Sequence, residues 1–259
     1  MRTIIVGDVH GCAIELDALL DRLAFASGDR LVFVGDLVAR GPSSLGVLDI
    51  VRRTGADVVR GNHEQRLLEE LAALTQARGS AGFRATRAGR EDGDDPKPPS
   101  SRIHRDIARS LRPVDWTLIE TSPLSIDLPE HGARVVHAGI DPAIPFERQE
   151  PSTLLRIRTV LVPGAPRGKG AVLWGSRYEG PPHVVFGHNA APGLQLHPWA
   201  TGLDTGCVYG GRLTALVLAP GQKIPRSIAA RRALLVSEPA RRVWFSPTKG
   251  PPERIKEAS

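Results

Sequence analysis

Three short apolar runs near the start of the chain, at residues 2–7, 30–35 and 56–60, each stop at a polar block, and the stretches between them carry apolar residues at helical spacing. No other feature constrains the fold as tightly. Leu16, Leu19, Leu20 and Leu23 form the clearest helical stripe. A β-α-β-α-β order calls for parallel strands joined by crossover helices, and it leaves the loops at the carboxyl ends of the strands free for chemistry. The blocks at those ends are Gly7-Asp8-Val9-His10-Gly11, Gly35-Asp36 and Gly61-Asn62-His63-Glu64, and two more follow at His137-Ala138-Gly139 and Gly187-His188-Asn189.

Helical spacing continues from Glu64 to Ala77. Over residues 79–101 the pattern dissolves into Gly, Arg, Asp and Pro, which predicts a mobile loop before helices near 102–120. Strands are then expected at Leu124–Leu128, Arg134–His137, Val184–Gly187, Gly193–His197 and Arg212–Leu218, implying a second sheet packed on the first, with a last hairpin over 233–245. The expected organisation is one α/β catalytic domain over 1–246, with a lid insertion at about 75–120 and a disordered tail at 247–259.

Bulk composition narrows the possible partners. The chain's net charge of +6 favours anions. Aromatic residues make up only 5% and do not interleave with Arg or Lys, which argues against a stacking platform for nucleic acid. No apolar run approaches the roughly 18 residues of a membrane span. The first strand begins at Arg2, leaving no room for an export signal, so a cytoplasmic protein is expected. Cys12 and Cys207 each sit beside a Gly-rich block and read as two reduced, buried thiols.

Asp, His and Asn side chains at several strand ends are what a binuclear hydrolytic centre requires. Two divalent cations repel each other, so a bridging carboxylate is needed, and Asp36 is the natural candidate. Asp8 and His10, one residue apart beyond a strand, complete the first site, while Asn62, His137 and His188 complete the second. Singly, each has a plain structural explanation: a strand-end Gly-Asp, a helix-capping Asn, a core His. Their joint occurrence in this order does not. Oxygen, amide and imidazole ligands suit manganese, cobalt, iron, zinc or magnesium.

Taken together these blocks resemble the signature of the metallophosphoesterases of the phosphoprotein phosphatase superfamily, over about residues 2–218. Within it, residues 35–42 (Gly35-Asp36-Leu37-Val38-Ala39-Arg40-Gly41-Pro42) and 203–211, beginning Leu203-Asp204-Thr205-Gly206-Cys207, resemble the bacterial symmetrical diadenosine tetraphosphatases. The resemblance implies an αββα sandwich of two mixed sheets flanked by helices, a binuclear centre often filled by manganese, and cleavage of a dinucleoside tetraphosphate into two ADP. Arg40 and Arg177 are the expected phosphate clamps and His63 the expected general acid. Protein phosphatases of the superfamily carry an Asp where this chain has Ala39, pairing there with the histidine equivalent to His63. Its absence favours polyphosphate leaving groups, which need less help from an acid than a serine alkoxide. Glu64, where the tetraphosphatases commonly have Asp, pulls the other way. The alternatives are a protein phosphatase or broad phosphomonoesterase acting on a phosphoprotein, and a non-catalytic binding module.

Overall fold

In strand β1 (Thr3–Val6) alternate side chains enter different layers, Ile4 and Val6 on one side and Ile5 on the other, and all three are buried. A strand covered on both faces reads as an unbroken apolar run, which is why the opening of the chain shows no polar alternation. The computed structural model describes residues 1–80, 102–162, 164 and 170–246. After β1 come α1 (Ala13–Arg22), β2 (Arg30–Phe33), α2 (Ser44–Thr54), β3 (Asp57–Val58), α3 (Asn62–Ser80), α4 (Arg102–Ser110) and α5 (Pro113–Thr121). The remainder is mainly strand: β4 (Ser125–Leu128), β5 (Ala133–Val136), α6 (Pro151–Arg156), β6 (Thr159–Leu161), β7 (Ala171–Leu173), β8 (His183–Phe186), β9 (Gln195–Leu196), β10 (Ala200–Gly202), β11 (Arg212–Leu218), α7 (Ile228–Arg232) and β12 (Leu235–Pro239).

Two five-stranded mixed sheets face each other, ordered β12-β11-β1-β2-β3 and β4-β5-β8-β10-β9. Register explains their contact. Ile5 lies opposite Leu216 on one side and Val32 on the other, so one row of three apolar side chains points at the second sheet. Val135 and Val185 pair across β5 and β8 and point back. Slipping β1 by one residue would turn Ile5 outward and break the row. Each such buried aliphatic side chain contributes about 1.5–3 kcal/mol, so this layer fixes how the sheets stack. The outer face of the first sheet is covered by α1 and α2 through Leu16, Leu19, Val47 and Val51, and that of the second by α6 through Leu154.

β11 belongs to the first sheet, paired antiparallel with β1, and not to the second sheet expected from its position in the chain. Its Leu216 and Leu218 line the inter-sheet layer while Leu213 and Ala215 face the helices, a two-sided burial that local patterning does not assign to either sheet. The segment 233–245 supplies one strand, β12, on the free edge of β11 and not a hairpin of its own. The β6–β7 hairpin, α6 and α7 had no clear sequence signal. Trp116 packs against the helix-side core. The expected loop beyond residue 80 and the expected tail at 247–259 lie outside the described residues. No helix among the described residues is long and apolar enough to cross a membrane.

β1, β2 and β3 run parallel, as do β5, β8 and β10. The ends of both parallel sets open into loops that meet. Backbone bonds sew them together: His10 and Val9 N–H both donate to the Asp36 carbonyl, and Gly187 N–H donates to the His137 carbonyl at 2.7 Å.

Candidate metal centre

Where those loops meet, Asp36 is the hub. Its carboxylate lies 3.5 Å from His10 Nε2, 3.4 Å from His137 Nε2 and 4.0 Å from His63 Nε2. His10, Asp36 and His63 form one cluster of potential ligand atoms, and Asp36, His137 and His188 form another. Asn62 Oδ1 joins the second, 3.0 Å from His137 Nε2 and 2.8 Å from His188 Nδ1. Asp8 completes the first side, 4.0 Å from His10 Nε2, and its two oxygens accept the His188 backbone N–H at 3.1 and 3.0 Å. The other five expected ligand residues therefore converge around Asp36.

Such convergence strains the backbone. His10, Asp36, Ala39, Arg40 and His188 all have left-handed φ, between 47° and 69°. This conformation is uncommon for residues with a Cβ, and the surrounding structure must hold it. Gly61 and Gly187 allow the close approach: a Cβ on Gly187 would overlap Asp8 Oδ1, and one on Gly61 would overlap Asp36. Glu64 supplies the brace. Its buried carboxylate accepts N–H bonds from Asp36 at 2.8 Å, Leu37 at 2.9 Å, Gly61 at 2.9 Å and Val38 at 3.3 Å. The departure from Asp at this position thus lies in the support of the hub and not in its first ring of ligand atoms.

Electrostatics show what the site lacks. Asp8, Asp36 and Asp204 are 4%, 2% and 6% exposed and close enough to repel one another. Burial pushes Asp36 up to about 7 and Asp204 up to about 6, and burial with the charges of Asp204 and Asp36 drives Asp8 well above the usual carboxylate range. The histidines are shifted the opposite way. Burial holds His137 down at about 4 and His188 at about 2. His10 and His137 each place Nδ1 against a backbone carbonyl, Val38 at 3.1 Å and Val34 at 3.0 Å. A carbonyl only accepts, so each ring carries its proton on Nδ1 and turns the Nε2 lone pair into the site. His137 Nε2 then faces two acceptor oxygens, of Asn62 and Asp36, with no proton between them. Imidazole lone pairs and mutually repelling buried carboxylates converging on one place are a donor set for cations, and the residues present fit divalent metal ions.

Arg40 is half-buried beside this centre, its guanidinium donating to His10 Nε2 at 2.7 Å. Arg177 is exposed, one residue beyond the turn at Trp174–Ser176, and among the described residues it makes no hydrogen bond or ion pair with the cluster. The exposed Arg158 is the second arginine whose charge acts on the cluster, on both Asp36 and His188. His63 is buried, with Nδ1 2.9 Å from Nε2 of His104 on α4, and the two rings stack at 4.9 Å. Sequence reasoning left His104 outside the motif blocks and used Asp204 only as part of a signature. Neither Arg158 nor His104 lies in a block, and nothing local distinguishes them.

Cys12 and Cys207 are free and buried, and with Glu15 they bring their ligand-type atoms within 4.8 Å of one another beneath the centre. The hydrogen bond to Cys12 and burial push the Cys207 thiol up. A groove of about 480 Å³ runs outward from Arg40, walled by Pro42, Leu45, Ile103 and Ile107 and bordered by Asp106.

Residues 1–215 match the calcineurin-like phosphoesterase model, and the chain belongs to that family of metal-dependent phosphohydrolases. A symmetrical bis(5'-nucleosyl)-tetraphosphatase of Chromohalobacter salexigens is 32% identical, over 86% of this chain and 96% of that protein. The asymmetrical bis(5'-nucleosyl)-tetraphosphatase PrpE of Geobacillus thermodenitrificans is 31% identical over 82% and 88%. A crystal structure provisionally assigned as a diadenosine tetraphosphatase superimposes with a TM-score of 0.71 at 34% identity, covering 92% of this chain and 93% of that one.

Proposed function

We propose that this chain hydrolyses dinucleoside tetraphosphates, cleaving diadenosine tetraphosphate symmetrically into two ADP. One observation carries the reading: Asp8, His10, Asp36, Asn62, His137 and His188 converge with lone pairs inward, beside a groove lined from Arg40 to Ser110 whose volume of about 480 Å³ exceeds that of a phosphate. The relatives named as tetraphosphatases support the substrate class, and the blocks at Gly35–Pro42 and Leu203–Gly211 support the symmetrical mode.

Two divalent ions held by these six residues, manganese being the pair we favour, would lower the pKa of a water and offset phosphate charge. The chain's own groups do the rest. Arg40 is placed to hold non-bridging oxygens from the first side and Arg158 from the rim, both as planar charged donors. His63, on the far side of Asp36 from His137, gives a proton from Nε2 to the leaving phosphate oxygen as the P–O bond breaks. The apolar wall of Leu45, Ile103 and Ile107 takes the face of a base, with Asp106 toward its sugar. Strained, braced turns keep Asp36 and His10 in place before substrate arrives, so little reorganisation is needed.

Separation of the products formed from diadenosine tetraphosphate with manganese tests this. ADP alone is the expected result. ATP plus AMP would replace the symmetrical mode by the asymmetrical one, and no turnover beside rapid hydrolysis of a phosphoserine peptide would overturn the substrate class.

A further inference from the structure

Helix α4 reaches the centre from the insertion, and it does so through one buried side chain. His104 is 5% exposed, 2.9 Å from His63 Nδ1, and its ring stacks on that of His63 with an interplanar angle of 26°. The His63 N–H donates to Asp36 Oδ1 at 3.0 Å and fixes the main chain, and the ring lies 4.0 Å from Asp36 Oδ2 and edge-on to His10, contacts that leave the Nδ1 side to His104. An imidazole that must deliver a proton from Nε2 needs a partner at Nδ1 to set both its orientation and its tautomer. We propose that His104 is the positioning residue of the acid: as a neutral ring protonated on Nδ1, it accepts at Nε2 the hydrogen on His63 Nδ1 and aims His63 Nε2–H at the leaving oxygen.

Burial lowers both rings, His63 well below its ordinary value and His104, with the charges of Arg66 and Arg40, to about 4, so the roles follow from geometry: a His63 that presents Nε2–H to the leaving oxygen donates at Nδ1 to His104 Nε2, 2.9 Å away. A neutral acceptor differs from a carboxylate in what it does for the acid. It orients the ring without adding a negative charge that would make the proton harder to release, which matches a phosphate leaving group better than an alkoxide. The proton moves once, from His63 Nε2 to the departing oxygen. The hydrogen on Nδ1 stays between the two rings. The inference rests on His63 being the acid and adds which residue sets it.

A series of aryl phosphates with manganese, from p-nitrophenyl to phenyl, separates orientation of the acid from general damage to the site. His104→Met fills the space without an acceptor. Its turnover of phenyl phosphate should fall about 10–100-fold, the usual effect of losing an orienting partner, while p-nitrophenyl phosphate, whose leaving group needs no proton, falls less than about threefold. His104→Gln, whose amide oxygen can take the place of Nε2, should recover most of the loss. Equal losses on both substrates, or a His104→Gln enzyme as impaired as His104→Met, would overturn the assignment. His63→Ala should show the same selectivity more strongly. A flat dependence there removes the acid reading and His104's role with it, whereas the expected dependence in His63→Ala beside a flat one in His104→Met removes His104 alone. Thermal melts of each variant identify any that fail to fold, and His104→Gln against wild type then decides.

Discussion

Strand β8 carries buried charge at both of its ends, and the two ends handle it in opposite ways. At its start, His183 packs against Arg231, a fully buried guanidinium that donates to the carbonyls of Pro225 at 3.2 Å and of His197. Just past its finish, His188 sits among Asp8, Asp36 and Asp204. At the first end the protein caps the two terminal nitrogens with its own carbonyls while Nε has no partner among the described residues, and burial lowers Arg231 only to about 10, so the cation stays charged. At the second end like charges and lone pairs face each other and their pKa values rise or fall until cations complete the arrangement. A lone buried charge that the chain's own carbonyls hold belongs to the architecture. One left unsatisfied by the chain marks where something from outside must bind.

Asp36→Asn should break the contrast most severely. It removes the charge at the hub, and kcat/KM for the tetraphosphate in excess manganese should fall more than about 100-fold. Activity within tenfold of wild type would show that Asp36 is not the shared ligand. Arg231→Met should act on the other end alone, leaving the Pro225 carbonyl without its donor and the His197 carbonyl with only the Ala200 N–H at 3.4 Å, at a cost of about 1–3 kcal/mol. The expected outcome is a lower denaturation midpoint with kcat per folded molecule unchanged.

Asp204→Asn sharpens the comparison through the sign of its pH dependence. The folded pKa of Asp204 is raised to about 6 from 3.8, so its contribution to stability is intact below about pH 4 and is lost as pH rises toward 6. In chelator-treated protein the variant should therefore gain on wild type between pH 4 and 7, by ~2–4 °C in Tm for roughly 1 kcal/mol. Saturating manganese should reverse the order, because wild type then gains the binding free energy. His183 predicts the contrary slope at the other end. Held near 3 by burial and by Arg231, it costs stability as pH falls below 6.5. Smallest of all, Arg158→Ala should raise KM for the tetraphosphate about 2–10-fold, as loss of one exposed charge contact does, while Arg177→Ala changes it less than about twofold.

The convergence of the six proposed ligand residues was legible because each lies just past a strand, and strand ends in a parallel layer share one edge of the molecule. What escaped is tertiary. Glu64 acts by reaching back to amides 26 to 28 residues earlier in the chain, a role its sequence neighbours do not advertise. His104 arrives from 41 residues beyond His63, and Arg158 lies on a loop without a motif. β11 was recognised as a strand but placed in the wrong sheet, since an apolar run buried on both faces fits either. Even Ala39, read as a missing partner for His63, told only part of the story, because the partner comes from another helix.

The pairing of β1 with β11 also sets a timetable for synthesis. β1 leaves the ribosome far ahead of β11 and keeps one hydrogen-bonding edge bare until residues 212–218 follow. Ile5 has no Leu216 beside it before β11 arrives, and the Asp8 loop has no neighbouring His188 N–H to hold its carboxylate before residue 188 arrives. The nascent polypeptide thus carries half a cation site and an open sheet edge until these late, long-range pairings close them.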